Sequence, residues 1–118
     1  MATYSKGILS GSTNGTPIVI NSALASAGTT IHTACTTDLD EVWLWGSNTA
    51  ADNRKITVQF GAVASDTTGV EISYVIPSLD GLHLLIPGIP LNGAKVVSMY
   101  ATASEAINIS GYVNRIAT

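Results

Sequence analysis

Nucleophilic catalysis needs a hydroxyl or thiol within hydrogen-bond reach of a base, and the nearest approach to that in this sequence is His32 with Cys35 and Asp38. Their closeness is along the chain, whereas a triad is defined by geometry and roles. No G-x-S-x-G elbow accompanies the many serines. Cys35 is the single cysteine and falls in the alternating run Ile31, Thr33, Cys35, which reads as a buried thiol acting as a small hydrophobe. Asp38-Leu39-Asp40-Glu41 offers alternate carboxylates of the kind that hold calcium, but lacks the D-x-D-x-D-G loop and reads as a solvated acidic turn. His32 and His83 lack the spacing of a zinc pair. The expectation is a non-enzymatic chain with no metal and no cofactor.

Aromatic chemistry is more promising. Trp43 and Trp45 alternate with Val42 and Leu44, so both indoles lie on one face of a strand. Paired indoles can stack on sugar rings, with Asn48, Asp52 and Asn53 close by in sequence to fix hydroxyls. The competing reading is a contact surface, because large amphipathic aromatics anchor interfaces. Val42 and Leu44 are equally apolar, and a strand apolar on both faces points to the interior of an assembly.

The elements that must position these residues are strands. Ile56, Val58 and Phe60 alternate with Lys55, Thr57 and Gln59; Val70, Ile72, Tyr74 and Ile76 with Glu71, Ser73 and Val75. Leu82, Leu84 and Ile86 are expected on one face, with His83 and Leu85 on the other, and Pro87-Gly88 ending that strand. The segment from Pro87 to Gly93 then reads as a stiff exposed connection. Ile107, Ile109 and Val113 alternate with Asn108, Ser110, Tyr112 and Asn114 in the last strand. A helical turn capped by Ser47 or Asn48 fits residues 47–53, and residues 23–28 and 62–69 read as a small helix-tolerant stretch and a loop. Turn signals recur every 8–12 residues or so, the grammar of a sandwich. The expected fold is all-β: a single-domain antiparallel β-sandwich, jelly-roll-like, with about eight or nine strands. Residues 1–16 form an N-terminal arm or edge strand, and residues 17–118 the sandwich.

Composition narrows the partners. Charged residues make up 11% of the 118, against about 25% in ordinary soluble domains. Serine, threonine, asparagine and glycine replace them, and a surface so poor in charge is weakly protected against association. Some of it is expected to be covered by copies of the chain or by a partner. A net charge of −3 with scattered basic residues argues against nucleic acid. No run approaches the ~20 apolar residues of a membrane helix, and the N-terminus has no apolar signal-peptide core.

The stretch WLWGSNTAADNRKITVQFG, followed by LLIPGIPLNGAKVVSMYA and INISGYVNRI, resembles the small β-sandwich capsid decoration (cement) proteins of tailed bacteriophages. The likeness covers most of residues 40–116. It implies a virion structural protein on the capsid surface, made in the host cytoplasm, whose partner is the major capsid protein. It also implies a homo-oligomer, trimer or dimer. On that reading the contacts are the aromatic region (Trp43, Trp45, Arg54, Lys55), the proline-rich connection (Ile89, Pro90, Leu91) and the N-terminal arm (Tyr4, Ile8, Leu9). A small lectin-like module using Trp43 and Trp45 is the alternative.

Overall fold

The structure is a computed structural model that describes residues 2–21, 28–62, 70–101 and 106–117. Among these residues nine strands follow one another: β1 (Thr3–Ile8), β2 (Ile18–Val19), β3 (Thr29–Thr33), β4 (Leu39–Asn48), β5 (Arg54–Ala62), β6 (Val70–Ile76), β7 (His83–Leu91), β8 (Val96–Ala101) and β9 (Ile107–Ala117). Sheet A has the order β1-β9-β4-β7, with β2 also paired to β9; sheet B has the order β3-β8-β5-β6. All pairs are antiparallel. The pairs β2·β9, β3·β8, β4·β7 and β5·β6 nest inside one another like the rungs of one long hairpin. That ribbon is rolled so that its rungs alternate between two packed sheets, the jelly-roll arrangement expected from the sequence.

Alternation drives the packing. Along β4, Asp40, Val42, Leu44, Gly46 and Asn48 are buried, and the residues between them are not. Val42 and Leu44 from β4, Ile56 and Val58 from β5, Ile86 from β7, Val97 and Met99 from β8, and Ile107 and Ile109 from β9 are fully buried in the core. At roughly 1.5–3 kcal/mol per buried aliphatic side chain, this core holds the sheets together.

Five expectations from the sequence are corrected. β7 does not stop at Pro87-Gly88 but runs on to Leu91, because it is an edge strand of sheet A and an edge tolerates residues without an N–H. A register shift against β4 between Leu44 and Trp45 makes Leu85 an extra residue, so that Leu85 and Ile86 are both inside and Leu84 is exposed, as is Leu82 just before the strand, breaking the expected alternation. A register shift between Thr30 and His32 does the same in β3, where Ile31 and His32 are both buried. The phase then changes: Ala34 is buried and Cys35 is partly exposed rather than core. Residues 50–52 form bends, with no helical turn between β4 and β5. Asn48 organises them from the end of β4, donating through Nδ2 to the carbonyls of Asp52 and Ile76 while its Oδ1 accepts from the Ala50 N–H. The helix-tolerant reading at 23–28 and the loop at 62–69 fall mostly outside the described residues.

The N-terminal segment is an edge strand. β1 pairs with β9 from Thr3 opposite Ala117 to Ile8 opposite Tyr112. Just beyond it the chain turns inward and places Leu9, 2% exposed, in the core. Leu9 is therefore not a contact residue. The hydrogen bonds that fix this descent run from Gly11 N to Ile31 O, from Ser10 N to His32 Nδ1 and from Thr33 N to Ser10 Oγ. Removing residues 1–10 would thus take a core residue with the edge strand.

Candidate functional site

Directly opposed residues in an antiparallel pair share a face, so the register of sheet A lays out its outer surface in rows. Tyr4, Ile116 and Leu39 form the first; Lys6, Asn114 and Glu41 the second; Ile8, Tyr112, Trp43 and Pro87 the third; Ser110, Trp45 and Leu84 the fourth; Val19, Asn108 and Ser47 the fifth. Lys6 and Glu41 are the only charged residues in these rows. Tyr4 (71%), Ile8 (55%), Val19, Leu39 and Leu84 are exposed apolar side chains on this one face. Isolated exposed apolar residues are ordinary; a contiguous set marks an interaction site.

An aromatic cluster occupies its centre. Trp43 and Trp45 lie 6.2 Å apart between ring centroids with planes at 17°. Tyr112 completes it, at 6.4 Å from Trp43 and 6.0 Å from Trp45. The rings come together because Trp43 and Trp45 are two residues apart on β4 and Tyr112 is the cross-strand neighbour of Trp43. Gly88 makes room for the indole: a Cβ there would sit 2.6 Å from the Trp43 ring, and its φ of 76° suits glycine. The Lys6 ammonium stands 4.6 Å over the Tyr112 ring, a cation–π contact. Trp43 Nε1 donates to Glu41 Oε1 at 2.8 Å and Asn114 Nδ2 to the same oxygen at 3.2 Å. Those two bonds, led by the indole, hold the Glu41 carboxyl below its ordinary range.

A second polar constellation lies where the two sheets meet. Asp40, fully buried, accepts from Arg115 Nε (2.7 Å to Oδ1) and Nη2 (2.9 Å to Oδ2). His32 of sheet B reaches Asp40 Oδ2 at 2.7 Å, and the Cys35 N–H bonds the same oxygen at 3.2 Å. Because His32 Nδ1 accepts from the Ser10 N–H, the proton sits on Nε2 and is donated to Asp40. Burial pushes the Asp40 carboxyl up, but the bonds from Arg115, His32 and Cys35 outweigh it and hold the group at about 2. The cluster ties β3, β4 and β9 together around the Asp40 carboxylate.

His32 faces Asp40 rather than Asp38, and both its ring nitrogens are committed, so it is not a base for Cys35. The Cys35 thiol is drawn below its ordinary range mainly by the backbone N–H groups of Thr37 and Asp38. Asp40 and Glu41, adjacent on a strand, point to opposite faces and cannot share a cation. No group of His, Cys, Asp and Glu suited to a metal occurs among the described residues.

The structure unites some contact candidates and separates others. Tyr4, Ile8, Trp43 and Trp45 share the outer face of sheet A. Ile89 and Pro90 lie on the β7 edge of the same sheet, but Leu91 packs partly against the core. Arg54 and Lys55 belong to β5 in sheet B, so they are not part of the aromatic region. Asn48 is buried in its turn and Asn53 accepts from Ser78 N; neither fringes the indoles. That role falls to Lys6, Glu41 and Asn114. Sequence reasoning missed Tyr112 as a partner of the tryptophans. Its outward orientation was legible from the alternation of β9, but its adjacency to Trp43 depends on β9 pairing with β4.

Comparison with protein-family models, with curated proteins and with solved structures gives no match to this chain. The class defined by the fold is a two-sheet antiparallel jelly roll with an aromatic outer face.

Proposed function

We propose that this protein is a non-enzymatic virion structural protein, a capsid decoration or cement protein that stabilises contacts between major capsid subunits. The observation that carries the reading is the outer face of sheet A, where apolar and aromatic rows lie on the solvent side of a chain with 11% charged residues. Such a face suits large interfaces, whose centres are depleted in charge and enriched in tryptophan and tyrosine. Binding across a junction that exists only in an assembled shell stabilises that shell by mass action. The resemblance of the strand segments to phage decoration proteins supports the same reading, which implies a position on the capsid surface.

The test is density-gradient sedimentation of a lysate from the source, measuring this chain against the dominant shell protein. Stoichiometric co-migration with particles is expected. Recovery only as free protein at the top of the gradient would end the virion reading.

A specific observation keeps the lectin-like reading in play: three near-parallel rings fringed by Lys6, Glu41 and Asn114 have the makings of a sugar platform. The pair Trp43→Ala and Trp45→Ala separates the two. Loss of particle association, by tenfold or more for a central aromatic pair, is expected. Lost glycan binding with unchanged particle association would favour the sugar platform.

A further inference from the structure

We infer that the outer face of sheet A binds a second copy of this chain, the two faces packing about a two-fold axis that runs along β9. This rests on the reading that the face is an assembly contact, and it names the occupant.

Charge selects the partner and the axis. Lys6 on β1 and Glu41 on β4 lie in one row on either side of Asn114 on β9. Their backbones are about 9–10 Å apart with a strand between them, and within the chain each is engaged elsewhere, Lys6 over the Tyr112 ring and Glu41 with Trp43 and Asn114. A two-fold axis along β9 exchanges the β1 and β4 columns. Lys6 then faces Glu41 of the second copy, and Glu41 faces Lys6 of the second copy. An axis across the strands at this row would set Lys6 over Lys6 and Glu41 over Glu41, and like charges at an interface are costly. An isologous contact must be self-complementary in this way.

Shape agrees with charge. The same axis sets Tyr4 against Leu39, Ile8 against Trp43, and Tyr112 against its own copy, all apolar or aromatic. Trp45 meets the column formed by β1 and β2 at the level of Ser110. There the pairing of β1 has ended at Ile8 and that of β2 begins only at Ile18. One of the two indoles thus meets the one level of that column that no strand residue fills. Sheets packed face to face lie about 10 Å apart, which suits interdigitated side chains of this size.

The size of the face sets the strength. Three strand columns and five rows, at about 4.8 Å between strands and 6.8 Å per residue pair, cover roughly 500 Å². That is below the ~800 Å² per partner of a standard interface, so the dimer is concentration-dependent and strengthened where many copies sit side by side.

The experiment is sedimentation velocity of the purified full chain over a concentration series. Wild type is expected to shift from monomer to dimer as concentration rises, with weakening at high salt. Lys6→Glu and Glu41→Lys should each shift the midpoint at least tenfold upward, since each sets like charges against one another. The combined Lys6→Glu/Glu41→Lys chain should return to near the wild-type midpoint, with near-UV circular dichroism confirming the fold of every variant. A wild-type chain that stays monomeric throughout would overturn the proposal. So would single variants that dissociate without restoration in the double swap, or that dimerise normally. A monomer that still co-sediments with particles would sink the dimer and leave the decoration reading standing. A dimer absent from particles would do the reverse.

Discussion

Asp40→Ala is expected to lower the unfolding free energy by about 3 kcal/mol, roughly 10 °C in Tm for a chain of this size. The loss arises because Asp40 is fully buried and is the common acceptor for groups from three directions. Without it the His32 Nε2–H and the Cys35 N–H are left without that acceptor. Arg115 contributes less to the loss, since its side chain is 41% exposed and can turn to water. Thermal or urea unfolding measures the effect, and a Tm within a degree or two of wild type would show that the cluster is energetically neutral. The same group sets an acid limb. Its pKa falls from an ordinary 3.8 to about 2 in the folded chain. Between those values the unfolded state binds more protons, so stability falls as pH falls. The contribution is complete above about pH 5, is mostly lost by pH 2, where the folded carboxyl is half protonated, and is gone near pH 1, where it is protonated in both states. The gap in stability between wild type and Asp40→Ala should therefore narrow from pH 6 to pH 2.5; a gap that stays the same at both would refute the assignment.

Gly111→Ala is expected to be equally severe, about 3 kcal/mol or more. A Cβ at Gly111 would lie 2.0 Å from the Trp43 carbonyl oxygen and 3.1 Å from a methyl of Leu44. The first of these is backbone, which cannot swing aside, so β4 and β9 would have to separate. That separation also pulls Tyr112 from Trp43, and the near-UV dichroism of the aromatic cluster should change with the Tm. Gly7→Ala is the matched control, because its added carbon would meet Val113 at an ordinary 3.5 Å. Equal behaviour of the two variants would mean that the close approach of β4 and β9 matters little.

Together these positions explain how a small chain with few charges presents a defined surface. The core and the Asp40 cluster fix two sheets, and the close β4–β9 pair fixes three rings on the outside of one of them. The jelly roll itself does not choose between a capsid role and a sugar-binding one, since the architecture serves both. The choice lies in what covers the aromatic face. Its rows are mostly apolar, and its two charges sit where a second copy would pair them.

Much of this was legible in the residues. Alternation of apolar and polar side chains in β4, β5, β6 and β9 specifies strands and their inward faces, because side chains on a strand have period two. The scarcity of charge and the placing of both indoles on one face of a strand were legible too, since both follow from residue types and their spacing. What period two cannot convey is where it is interrupted. The register shifts opposite Leu44 and in β3 turned Leu85 and His32 inward, and Cys35 outward of its expected place. Nor does local sequence reveal that Leu9 drops into the core once β1 ends. The pairing of β4 with β9 spans more than half the chain. Only that long-range contact brings Tyr112 to Trp43 and Arg115 to Asp40, because each group's neighbours are set by strand order and not by sequence distance.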